Sequence, residues 1–344
     1  MISKHPFIAA CNRQKPSRQP IWLMRQAGRY QKVYRELRAK HTILEMIKAP
    51  ELAAEVTLQP LRAFDLDAGI IFADILTLPE AMGLPLEFVK GEGPVISAPI
   101  RSIADVKKLR VRPAEEALPF TIEAIKMVCR ELNDRIPLIG FSGAPFTLAC
   151  YAVEGGSSRE YDLTRAFMFR EPKAWHALMK KLAGAVGDYL LAQARAGAQA
   201  LQIFDSWAGS LAPADYREYV LPHTQRVIAI AKQTKVPVIY FSTRTGAMLN
   251  VVRELGADVY GLDWRVDIND AWKQLGGKIA VQGNLDPTVL LTTPKTIREH
   301  AARLLDSVKD KRGYIFNIGH GVIKETPEEN VKVLVDFVHK YAAQ

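Results

Sequence analysis

Two arginines, Arg25 and Arg29 in "PIWLMRQAGRY" (20–30), follow directly on an apolar run and stand four residues apart. Guanidinium groups stay in water unless they are paired, and two such forks suit bidentate bonds to carboxylates. The plain alternative is a solvated helix start, because Tyr30, Val33, Tyr34 and Leu37 continue at helical spacing. Further along, polar residues recur just after short apolar runs. They are Asp74, Ser142 with Tyr151 a little beyond, Asp205 and Ser206, Ser242, Asp263, Gln282 with Asn284, and His320. One polar cap is ordinary in any fold; a ring of them is the pattern of a site.

Taken singly, each residue has a bland reading. A lone carboxylate after the buried run "GIIFA", Asp74, needs internal donors or a ligand that brings them, or else it caps the helix that "ILTLPEAM" begins. Tyr151 alone reads as a core aromatic, and Ser206 as a turn cap or as a hydroxyl that holds a carboxylate. His320 stands between Gly319 and Gly321, which let backbone approach a ligand closely. Phe141 and Phe204, each beside a polar cap, either floor an apolar pocket or fill the interior. No lysine is placed for a Schiff base, no cysteine or GxSxG serine for covalent catalysis, and no carboxylate cluster for a metal. The expectation is therefore a site with no metal and no cofactor, in which Arg, Asp, Tyr, Ser and His bind carboxylates and manage protons.

The elements that must position these residues alternate. Seven apolar runs, at 68–74, 136–143, 198–206, 236–242, 257–264, 278–284 and 313–321, are separated by segments of helical spacing. Continuous runs of this length suit strands buried on both faces. With no GxGxxG after the first run, the alternation predicts a (β/α)8 TIM barrel in one α/β domain spanning 1–344. The eighth strand is sought in "LEFVKGEGPVIS" (86–97), as a hairpin or irregular strand with Gly91 and Gly93 in its turn. Residues 1–30 read as an N-terminal arm contributing to the active-site cleft, bent at Gly28. In such a barrel the chemistry lies at the C-terminal ends of the strands.

The bulk numbers exclude several classes. The 344 residues are 48% hydrophobic and 24% charged, the ordinary balance of a folded protein. No apolar run approaches the ~18 residues of a membrane span, and the first residues lack a signal-peptide pattern, so a cytoplasmic location is expected. Cys11, Cys129 and Cys150 are scattered, without a CxxC or disulfide framework. The net charge of +9 fits nucleic acid, a membrane surface or an anionic small molecule. Because the basic residues are dispersed and "KLRVRP" (108–113) is short, neither nucleic acid nor membrane is expected as a partner.

Six stretches in order, "PIWLMRQAGRY", "GFSGAPFTLACYAVEGGSS" from Gly140, "FDSWAGSL" (204–211), "GLDW" (261–264), "QGNLDP" (282–287) and "FNIGHGV" (316–322), resemble the uroporphyrinogen decarboxylase family. The resemblance runs from about residue 20 to the C-terminal helix. It implies a (β/α)8 fold, a homodimer, and cofactor-free decarboxylation of the four acetate side chains of uroporphyrinogen III to give coproporphyrinogen III. It also implies a site made of Arg25, Arg29, Asp74, Tyr151, Ser206 and His320. One departure is "FSTRTGAML" (241–249), with Arg244 where such sequences more often carry small residues or a lysine in a glycine-rich loop. Two other readings are a corrinoid-dependent methyltransferase of a related barrel family, which needs a His-x-Cys pair that this chain lacks, and a non-catalytic tetrapyrrole-binding protein.

Overall fold

The apolar runs become strands because both of their faces are covered, one by the barrel interior and the other by helices. In the computed structural model, which describes residues 4–89, 91, 93–308 and 311–341, seven strands pair in parallel. They are β1 (Gly69–Ile70), β4 (Leu138–Gly143), β5 (Ala200–Asp205), β6 (Val238–Ser242), β7 (Val259–Gly261), β8 (Ala280–Leu285) and β9 (Tyr314–Ile318), side by side in chain order. The intervening β2 (Leu86–Val89) and β3 (Gly93–Ile96) form an antiparallel hairpin in a sheet of their own. The eighth barrel strand expected within 86–97 is therefore not there.

The eighth position belongs to residues 20–24. Ile21 bridges Phe316 of β9 in parallel, the Phe316 N–H donates to the Pro20 carbonyl (2.9 Å), and the Asp67 N–H donates to the Ile21 carbonyl (2.8 Å). This segment thus lies between β9 and the entry to β1, closing the ring. Its side chains alternate as a strand's must. Trp22 and Met24 join the inner cluster with Ala68, Ile139, Ala200, Ile239, Val259, Ala280 and Ile315, while Ile21 and Leu23 pack in the outer layer.

The outer layer is built by amphipathic helices, of which Pro172–Arg195 buries Trp175, Leu178, Met179, Leu182, Val186, Tyr189 and Leu190 along one face. The stretch anticipated as one arm is divided. The helix Pro6–Cys11 packs Phe7, Ile8 and Cys11 into the inner cluster, and just after it the Arg13 guanidinium donates to the carbonyl of Gly277 ahead of β8 (2.5 Å). This helix therefore stoppers the N-terminal end of the barrel. Only residues 25–30 reach the opposite end, where the strand-end polar residues gather.

Candidate active site

Arg25 is the hub of the mouth. The chain leaves the eighth stave by a turn in which Arg25 itself takes a left-handed backbone, φ +57°, a conformation that L-residues other than Gly adopt at a cost. The turn is pinned on all sides. The Gln26 N–H donates to the Leu23 carbonyl (3.0 Å) and the Val322 N–H to the Met24 carbonyl (2.9 Å), while the Gln26 amide donates to the Ala68 carbonyl (3.1 Å) and the Tyr30 hydroxyl to the Gln26 carbonyl (2.6 Å). The bend expected at Gly28 is thus made at Arg25. Gly28 contributes closeness instead: a Cβ there would meet the Arg25 carbonyl oxygen at 3.3 Å.

The glycines around His320 also have a different task from the expected one. A Cβ on Gly321 would overlap the Arg25 side chain at Cγ (2.7 Å), and one on Gly319 would press on the Asp263 carbonyl carbon (2.9 Å). They make room for neighbouring protein groups, Arg25 and the segment after β7, beside the imidazole.

Three further residues sense the Arg25 charge. Asp74 gives Oδ1 to the Leu76 N–H (2.8 Å), and its Oδ2 has no donor among the described residues. Burial pushes this carboxyl up from its usual range, opposed by the Leu76 N–H and by Arg25. Tyr151, on the helix Pro145–Glu154, is pushed up to about 12 by burial first and by the Asp74 charge second. His320 is pushed down to about 4 by burial, with the Arg25 and Arg265 charges adding and Asp263 opposing. Near neutral pH, then, Tyr151 and His320 are both uncharged. Arg29 is exposed at the rim, where its charge reaches Tyr34; the Tyr34 ring meets Phe72 edge-on at 5.9 Å, two residues before Asp74.

Beneath these groups the aromatic rings make contact in series. Phe141 meets Phe204 at 5.4 Å, Phe204 meets Phe241 at 6.0 Å, and Phe241 meets His320 at 6.4 Å. Phe241 was not among the residues singled out from sequence; it joins because β5 and β6 pair with Phe204 opposite Phe241. Trp207 was missed as well, and lies 6.1 Å from the Tyr151 ring and 5.2 Å from Tyr161. Ser206 uses its carbonyl to accept from the Thr243 hydroxyl (2.7 Å), and its own hydroxyl has no protein partner among the described residues.

The other strand-end residues are turned to construction. Asp205 is fully buried and accepts from the hydroxyls of Thr147 (2.9 Å), Tyr240 (2.8 Å) and Tyr216 (3.3 Å). Burial still lifts it to about 6 against those donors. Asn284 donates to the Asp263 and Val266 carbonyls (both 2.8 Å), and Gln282 accepts from the Trp22 indole (2.8 Å). The Ser242 and Thr245 hydroxyls pair at 2.8 Å, and the Ser142 hydroxyl donates to the Gly143 carbonyl (3.3 Å). The mouth therefore holds one carboxylate with a spare oxygen, neutral donors, cations at the rim and an apolar floor. Such a set can grip an anionic ring system and stabilise positive charge at its centre. Among the described residues no three His, Cys, Asp or Glu side chains group as metal ligands would, and no helix is long and apolar enough to cross a membrane.

Comparison with known proteins gives one family over nearly the whole chain. Residues 2–341 match the family model described as Uroporphyrinogen decarboxylase (URO-D). A protein named uroporphyrinogen decarboxylase from a Roseiflexus species is 53% identical over 343 residues, covering 98% of this chain and 99% of the relative. One of the same name from Chloroflexus aurantiacus is 54% identical over 339 residues, covering 97% and 95%. Among solved structures, a methyltransferase from Methanosarcina mazei superposes with a TM-score of 0.80 over 97% of both chains at 20% identity, a likeness of fold.

Proposed function

The chain belongs to the uroporphyrinogen decarboxylase family, and from that premise we infer that it removes carbon dioxide from the four acetate side chains of uroporphyrinogen III, giving coproporphyrinogen III. The observation that carries the reading at the level of atoms is Asp74, a carboxylate in the cleft with one oxygen given to the Leu76 N–H and the other without a protein donor among the described residues. The substrate carries carboxylates around its edge and pyrrole N–H groups at its centre. It therefore asks for cations at the rim and an acceptor in the middle.

Arg25 and Arg29 hold acetate or propionate groups in bidentate fashion. A guanidinium offers only donors and no acceptor, so they act as anchors for the substrate's carboxylates. Pyrrole N–H groups donating to Asp74 supply the solvation that burial withdraws, and so favour its ionised form. Ionised, it stabilises the positive charge that develops when a ring carbon is protonated. The protonated ring is the electron sink. The electrons of the bond to the departing carboxylate flow into it, carbon dioxide leaves, the exocyclic methylene takes up a proton to become a methyl group, and the ring carbon gives back the proton it first took, so that one proton is consumed for each carbon dioxide released. Atoms and charge balance without an oxidant or reductant. Tyr151 and His320, both neutral near pH 7, and the Ser206 hydroxyl offer hydrogen bonds to substrate carboxylates without adding charge, while Phe141 and Phe204 support the macrocycle from below.

A homodimer in the cytoplasm belongs to the same reading, supported by the family resemblance. Sedimentation at a mass of two 344-residue chains is the result expected. The test of the activity is anaerobic incubation with uroporphyrinogen, followed by oxidation and separation by carboxylate number. Seven-, six-, five- and four-carboxylate products are expected, and an unchanged eight-carboxylate peak overturns the assignment.

A further inference from the structure

The loop after β6 carries a second arginine in a strained backbone. Arg244 has φ +58°, again the left-handed region that favours glycine. Asp263, only 4% exposed, holds it there. The Asp263 Oδ2 accepts the Arg244 N–H (2.6 Å) and also the Arg265 guanidinium (2.9 Å), and its Oδ1 accepts the Arg265 N–H (3.0 Å). Arg265 in turn lies over the Trp264 ring at 3.7 Å, and Trp264 meets His320 edge-on at 6.4 Å. One buried carboxylate thus sets the positions of two exposed cations. The Arg244 guanidinium itself has no carboxylate partner among the described residues.

Topology gives these cations their place. Counting around the closed ring, β6 stands diametrically opposite the stave that ends in Arg25, and β7 opposite β1, which leads to Asp74. The Arg244 loop also abuts the loop of Ser206: a Cβ on Gly209 would overlap the Arg244 Cβ at 2.6 Å. The Arg244 charge reaches Tyr161, whose ring lies against Trp207. A backbone strain kept in place by a buried acid, at the rim of a cleft, marks a side chain whose position matters there.

We propose that Arg244, across the mouth from Arg25, and Arg265, held with it by Asp263, form a second carboxylate clamp that grips propionate groups of the bound macrocycle. The assignment rests on the decarboxylase reading above. Propionates persist through all four decarboxylations, so this clamp acts equally on the first substrate and on the partly decarboxylated intermediates. It holds the ring while it is turned over; it takes no part in the chemical step.

Glycine accepts φ +58° without strain, so Arg244→Gly removes the guanidinium and leaves the loop its shape. The expected result is a KM raised about tenfold, the loss of one charge-assisted pair, with kcat within about twofold of the parent. The same KM ratio is expected for the five-carboxylate intermediate. Arg244→Lys restores the charge without the fork and falls between the two, and Arg265→Gln shifts KM in the same direction. Arg244→Ala keeps the strain; it matches Arg244→Gly in KM but melts lower, which separates ligand grip from loop stability. Parent-like KM in Arg244→Gly, with an active parent, overturns the clamp alone. A parent chain with no turnover overturns the decarboxylase reading and the clamp together.

Discussion

His320 shows how one side chain's neighbours decide its chemistry. Placed among Phe241, Trp264 and the arginines at positions 25 and 265, its pKa is pushed to about 4. The folded value lies below the unfolded 6.5, so the unfolded chain takes up the proton first. Stability supplied by the neutral ring is complete above pH 6.5 and is lost as pH falls toward 4. NMR of the imidazole should give a midpoint near 4. His320→Gln should flatten the decline of denaturation free energy across that window; an unchanged slope would count against it. For Asp74, the charge role predicts that Asp74→Asn lowers kcat by about 10²–10³ with little change in KM, read from steady-state kinetics. These residues were legible in the sequence because each stands just after an apolar run. Asp205 and Asp263 stand in the same way and are buried braces. The distinction between a brace and a reactive group depends on which hydroxyls and N–H groups converge on the carboxylate, and that information is three-dimensional. Phe241 was missed because strand register, not residue type, sets it opposite Phe204, and Trp207 because it stands past the end of β5, in the turn before Ala208–Ser210, where its ring meets Tyr151 and Tyr161.

At the scale of elements, the helix Pro145–Glu154 is the carrier of Tyr151, and one hydroxyl ties it to the barrel wall. Thr147 donates to Asp205 (2.9 Å) one turn before Tyr151. The near-isosteric Thr147→Val keeps the volume and removes the tie; it should cost about 1–3 kcal/mol in urea denaturation. It should also lower kcat, since Tyr151 loses its fixed height over the floor. A variant with full stability would show that Asp205 finds its donors elsewhere. The long helices and seven of the strands were readable, because periodicity persists through many residues, as in Pro172–Arg195. The eighth stave was not. Its signal is four apolar residues ending in Arg25, and a single bridge to Phe316 replaces a paired run. The run at 86–97 had the stronger strand pattern and became a separate hairpin.

Over the whole molecule, the ring is latched by Asp67, whose side chain is fully buried. It accepts from the Arg18 guanidinium (2.9 Å) and the Ile21 N–H (2.8 Å), and lies 2.7 Å from His339 of the helix Glu328–Lys340. The first stave, the first strand and the last helix thus meet at one carboxylate. Asp67→Asn leaves buried donors and a charged Arg18 poorly matched, and should destabilise by about 3–5 kcal/mol in chemical denaturation. Activity should fall along the same curve, because the stave it latches carries Arg25.

That stave has a consequence in time as well as in space. It leaves the ribosome far ahead of one of its two neighbours: the Gln19 amide donates to the Tyr314 carbonyl across 295 residues of sequence (2.9 Å). Pairing so distant closes late in folding. A growing chain that has made Arg25, Asp74 and Tyr151 still lacks the wall that fixes Arg25. Competence therefore waits until β9 has been made, and a chain stalled before it is an unfinished barrel with no working mouth.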